Sequence, residues 1–259
     1  MSDAEPDADG TGEPASFISH LIELRQRLLK AIAAVLIVLV ALLPFANRLY
    51  HVIAEPLLRR LPAGSHMVAI EVASPFMTPV KLAFFTALFV TMPVVLYQIW
   101  GFVAPGLYRH EKRLALPLLA TSVLMFYLGC AFAYFLVLPK VFAFLLSVTP
   151  SGVDMMTDIS HYLDFVLTMF FAFGLCFEVP VAVFIVAMLG WVKSEQLSRQ
   201  RRYVILGAFA VSAVVTPPDV FSMLMLAIPM CLLYELGVLA VRLFLHQSSN
   251  LADGKSPPA

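Results

Sequence analysis

Three glutamates sit where an acid needs a reason. Glu111 lies in a short polar stretch, Gly101 to Arg113, pinched between two long apolar runs and flanked by Arg109, His110, Lys112 and Arg113. Pro105, with Gly101 and Gly106, forbids a simple continuous helix through the first half of that stretch. Glu23 stands on a separate segment that leads into the first apolar run. Carboxylates accept the planar arginine fork through two parallel hydrogen bonds. Two of them near one another, edged by Leu21, Phe102 and Leu107, would suit a peptide carrying two arginines followed by hydrophobic residues. The plainer reading pairs Glu23 with Arg27 one helical turn on and leaves Glu111 as a solvated loop charge.

The third acid, Glu178 in Phe177-Glu178-Val179-Pro180, interrupts an otherwise apolar run. An ionised residue at the centre of a membrane helix costs roughly 2.5 to 3.5 kcal/mol. Glu178 is therefore expected to face a protein or wet interior and to be protonated or paired, with Gln98 as a candidate neutral partner. Glu235, near the end of the last apolar run, is expected to snorkel or to pair with Arg242. The sequence contains no G-x-x-x-x-G-K-[ST], no G-x-G-x-x-G and no H-E-x-x-H, and no serine sits in a nucleophile motif. Cys130, Cys176 and Cys231 lie inside apolar runs without a C-x-x-C pair, so they read as small buried hydrophobes. No metal, cofactor or enzymatic activity is expected, and the chain reads as a binder or a conduit.

These acids must be positioned by elements that are almost wholly apolar. The chain is 61% hydrophobic and 13% charged, with a mean hydropathy of +0.88, far outside the soluble globular range. Seventeen basic residues balance seventeen acidic ones, which argues against a generally basic nucleic-acid binder. Apolar stretches with few charges predict six transmembrane helices over about 28–46, 79–103, 114–138, 162–190, 203–216 and 220–242. The expected fold is an all-α polytopic membrane protein. Residues 1–15, rich in Asp, Glu, Gly and Pro, are expected to be a disordered acidic leader, and 244–259 a flexible cytoplasmic tail.

From Ser16, a plausible N-cap, Phe17, Leu21, Leu24 and Leu28 recur at helical spacing, while His20, Glu23, Arg27 and Lys30 share the opposite side. That amphipathic helix should meet the membrane at headgroup level and continue into it. Arg25, Arg27 and Lys30 imitate the start of a secretory signal, but the run from Ala31 to Asn47 is too long for one and lacks a small-x-small site. An even number of spans puts both termini on one side. Twelve basic residues fall on that side and five on the other, which by the positive-inside rule makes it the cytoplasm.

The fifth run, Tyr203 to Thr216, has fourteen residues, so as a helix it reaches about 21 Å against a hydrocarbon core of roughly 30 Å. The sixth is interrupted by Pro229, and Thr216-Pro217-Pro218-Asp219 leaves only a tight turn between the two. Helices five and six are thus expected to be short, which implies local thinning of the bilayer or shielding by a partner. Pro93, Pro117, Pro180 and Pro229 are expected to kink their helices into a curved bundle. Asp158 or Ser160 is expected to cap the fourth span.

Several ordered motifs resemble the TatC family, the multispanning receptor subunit of the twin-arginine (Sec-independent) protein translocase. They are Ser19-His20-Leu21-Ile22-Glu23-Leu24-Arg25, Ala73-Ser74-Pro75-Phe76, Trp100-Gly101-Phe102-Val103-Ala104-Pro105-Gly106-Leu107-Tyr108 with Glu111, Phe177-Glu178-Val179-Pro180, and Thr216-Pro217-Pro218-Asp219-Val220-Phe221. The resemblance covers about Ser16 to Leu243. It implies a six-helix, glove-like bundle in the bacterial inner membrane that recognises folded cargo through the Arg-Arg pair of its signal peptide and is driven by proton-motive force. It further implies that Glu23 and Glu111 hold the arginines, that Arg25 and Phe102 belong to the same site, and that Glu178 is the intramembrane polar residue. Pro56 would support the outer cap, and Asp219 would lie where the single-span partners TatA and TatB dock in a probable oligomer. The competing readings are a proton-coupled secondary transporter of a small solute with Glu178 as carrier, for which no inverted repeat is found, and an assembly scaffold.

Overall fold

The computed structural model describes residues 12–51, 68–103, 115–148, 150, 158–190, 192, 194–216 and 219–252. Among them every regular element is a helix, and one isolated bridge joins Val68 to Asp158. In chain order the helices are α1 (Gly12–Leu42), α2 (Ser74–Val103), α3 (Ala115–Phe132), α4 (Leu138–Val148), α5 (Ile159–Met188), α6 (Ser194–Arg199), α7 (Arg201–Val215) and α8 (Val220–Ala252). Five stretches are long and apolar enough to cross a membrane: Leu21–His51, Ser74–Phe102, Leu116–Leu145, Ile159–Met188 and Val220–Leu243. α7, at 15 residues and about 22 Å, falls short of that length, as its sequence foretold.

The termini of several helices depart from the sequence reading. α1 begins at Gly12, so Ser16 lies inside it rather than capping it. The sixth expected span is not short: α8 runs for 33 residues through Pro229 to Ala252, well past 243. Proline removes one N–H and crowds the preceding turn, yet such a break is tolerated inside a packed membrane helix where neighbours hold the backbone. The third span also runs on, to Val148, through a π-helical turn at Ala133–Val137. Pro139 explains that turn, because its ring would meet the carbonyl of residue 135, and a widened turn opens the ladder there.

α5 is the central helix, packed against α3 on one side and α8 on the other, while α2 joins α1 to the rest. The core beside α5 holds Phe173, Met169, Val166 and Phe177, met by Val137 and Val141 from the α3–α4 side and Leu226 and Leu233 from α8. Phe132 lies 5.5 Å from the rings of both Phe173 and Phe177. Gly237 lets α8 touch α5, since a Cβ there would stand 2.9 Å from the Pro180 Cα. At the end of the bundle where α5 begins, Asp158 caps the helix through the Ser160 N–H (3.1 Å). Near that end Lys81 of α2 pairs with Asp164 of α5 at 2.8 Å. α1 is the most peripheral span: 11% of its apolar stretch is buried, against 33–39% in the other four. It therefore holds on by one seam and leaves Ile37, Val40 and Leu36 for lipid or another chain.

Candidate functional site

Glu23 and Arg27 form the ordinary helical pair. Arg27 donates from Nε (2.9 Å) and Nη2 (2.7 Å) to the single oxygen Oε1 of Glu23, with both side chains half-buried. The i,i+4 spacing on α1 brings them together with no tertiary help. What surrounds them is tertiary. The Nη1 of Arg27 rests on the bare Cα of Gly101 near the end of α2, in the space that a Cβ would fill. The Glu23–Arg27 pair therefore sits against the Trp100-Gly101-Phe102 segment, and Glu23 Oε2 accepts from no group among the described residues. Arg25, two residues from each partner, is exposed and faces away from the pair. Glu111 lies outside the described residues, as does Pro56.

One residue along α2, Trp100 is buried and donates from Nε1 to the Ser122 hydroxyl of α3 at 3.2 Å. Ser122 is also the polar side chain that neighbours the Glu178 carboxyl group of α5, with no hydrogen bond between the two among the described residues. The indole–hydroxyl bond thus joins α2 to α3 in an apolar interior, with the acid of α5 next to it. The Oε1 of Glu178 is buried without a partner. Gln98 does not fill it: no hydrogen bond joins Gln98 to Glu178 among the described residues. Ser122 was missed in the sequence, where Trp100 figured only within a family motif; a lone serine in an apolar run is the available signal.

At the opposite end Asp219 starts α8, accepting from the Ser222 N–H at 2.6 Å while its Oδ2 and the Ser222 hydroxyl stay buried and unpaired. Ser212 and Thr216 turn their hydroxyls back onto the α7 carbonyls of Ala208 and Ser212, at 2.7 and 2.8 Å. Glu235 pairs with Arg201 of α7 at 2.8 Å, not with Arg242 as its sequence position suggested. Arg242 instead donates to Ser198 of α6 at 2.5 Å. Seven residues is two turns, so Glu235 and Arg242 share a face, but the neighbouring helices offer each a nearer partner. Among the described residues no three metal-ligating side chains cluster.

Residues 19–229, which include Glu23, Gly101, Glu178 and Asp219, match the family described as Sec-independent protein translocase protein (TatC). The chain belongs to the TatC family. It is 54% identical over 256 residues to the Sec-independent protein translocase protein TatC of Azotobacter chroococcum mcd 1, covering 98% of this chain and 99% of that one. To TatC of Escherichia coli (strain K12) it is 51% identical over 233 residues, 90% of each chain. The crystal structure of a twin-arginine translocase receptor, TatC, superposes with a TM-score of 0.78 at 36% identity, over 86% of this chain and 98% of that one. TatC membership and the five apolar helices make this a multi-pass bacterial membrane protein and a component of a protein translocase.

Proposed function

We propose that this chain is the receptor subunit that binds the Arg-Arg signal peptide of folded proteins at the cytoplasmic face of the inner membrane. Glu23 and Glu111 take one arginine each, with Arg25 and Phe102 bordering the site. The observation that carries this reading is the Glu23–Arg27 pair itself: Glu23 already accepts two hydrogen bonds from a guanidinium on one oxygen, beside the segment that leads in sequence to Glu111. In this reading Arg27 is the intramolecular stand-in that the peptide's arginine displaces. Glu178, with Ser122 beside it, supplies the intramembrane polarity, and Pro56 and Asp219 belong to the outer region where the single-span TatB and TatA subunits assemble into the export complex. Proton-motive force drives transport, and both termini are cytoplasmic.

The test is equilibrium binding of a labelled Arg-Arg signal peptide to the purified protein in nanodiscs. Glu23→Ala or Glu111→Ala each removes a charge-assisted contact of roughly 1.5 to 3 kcal/mol, which predicts about tenfold to hundredfold weaker binding. A Glu23→Ala/Glu111→Ala protein that binds as tightly as wild type overturns the assignment.

A further inference from the structure

We infer that the angle between the start of α7 and the end of the apolar part of α8 is a binding site for one anionic phospholipid. A cavity of about 420 Å³ opens there, lined by Arg201 of α7 and by Leu232, Glu235, Leu236, Leu239 and Arg242 of α8. Leu232, Leu236 and Leu239 recur at i, i+4 and i+7 and are each half or more exposed, so they form one apolar stripe along α8. The stripe leads directly to Arg242, next to Leu243 where the apolar stretch ends. Leu232 to Arg242 covers about 15 Å of helix, half the hydrocarbon thickness. An acyl chain can lie along the leucines while its phosphate meets the arginines at headgroup level.

The charges favour an anion. Arg201 and Arg242 face a single carboxylate, Glu235, whose Oε1 lies 2.8 Å from the Arg201 Nε, so two cations stand against one anion. Arg242 has a neutral partner, Ser198, and no carboxylate pairs with it among the described residues. The frame is also built rather than incidental. The Tyr234 hydroxyl donates to the Leu197 carbonyl at 2.8 Å, which fixes α6 against α8 and holds Ser198 beside Arg242. Arg202 adds a further cation beside Arg201 and lies 4.9 Å over the Tyr203 ring, an aromatic of the kind that marks membrane interfaces. Basic pockets between membrane helices next to an apolar face fit phosphodiester headgroups. A free phosphate would use the arginines and ignore the leucines, whereas a phospholipid needs both.

Native mass spectrometry of the full chain, released from vesicles of equimolar phosphatidylglycerol and phosphatidylcholine, tests the site. Wild type is expected to retain phosphatidylglycerol. Arg201→Gln/Arg242→Gln should lower its occupancy roughly tenfold to thirtyfold, the size expected for two cations at an anionic interface. Arg201→Lys/Arg242→Lys should restore it, which separates lost charge from lost folding, and Lys140→Gln should leave it unchanged. Leu236→Ser/Leu239→Ser should weaken retention as well. Equal retention by wild type and the glutamine variant, or equal retention of the two lipids, overturns the proposal. Displacement by millimolar inorganic phosphate with no effect of the serine variant makes this a phosphate site instead. A co-purified protein subunit that replaces the lipid and is lost in the glutamine variant makes it a protein interface.

Discussion

The guanidinium of Arg27 lies on the Cα of Gly101, so the first helix carries its charge pair into the end of the second at a point where no side chain stands in the way. The contact joins a local ion pair to the segment that precedes Glu111 in the chain, and under the proposed function Arg27 takes the place of an incoming arginine.

Removing Arg27 should therefore help a competing arginine. A helical ion pair that water still reaches is worth about 0.2 to 1 kcal/mol, so Arg27→Ala should tighten binding of an Arg-Arg signal peptide by up to about fivefold. Gly101→Val, which pushes the guanidinium off its seat, should act in the same direction, and neither variant should have an effect in a Glu23→Ala background. Peptide titration by fluorescence anisotropy reads all of these; unchanged or weaker binding in Arg27→Ala removes Arg27 as a stand-in.

The Trp100–Ser122 contact should show as coupling. Ser122→Ala leaves a buried indole N–H without an acceptor, which costs about 1 to 3 kcal/mol, whereas Trp100→Phe removes the donor as well. In a double-mutant cycle followed by unfolding in detergent, the combined variant should cost less than the sum of the two. Strict additivity would mean that the bond contributes nothing to stability.

Asp219 has a structural duty that can be separated from its charge. Asp219→Ala loses the acceptor for the Ser222 N–H and should destabilise by about 1 kcal/mol, while Asp219→Asn keeps a capping oxygen and should remain within a few tenths of wild type. Thermal unfolding distinguishes the two. A drop in Asp219→Asn as large as in Asp219→Ala would show that the carboxylate charge matters, not the cap.

The sequence by itself determined the all-helical membrane architecture, the shortness of the helix at Arg201–Val215 and the family, and it narrowed the cap of α5 to Asp158 or Ser160, of which the structure uses Asp158. Each of these rests on something local: apolar length, a turn motif, or a side chain next to its own helix start. The Glu23–Arg27 pair was legible for the same reason, since i,i+4 geometry belongs to one helix. Which residues meet across helices was decided only in three dimensions. α2, α3, α5 and α8 are apolar on nearly every side, so no amphipathic stripe indicates which face turns toward which neighbour. Rotation and register then follow from close packing, such as Gly237 against Pro180, and that packing assigns the few polar side chains their partners. It put Ser122 rather than Gln98 beside Glu178, gave Glu235 to Arg201 and left Arg242 to Ser198, and laid Arg27 on Gly101.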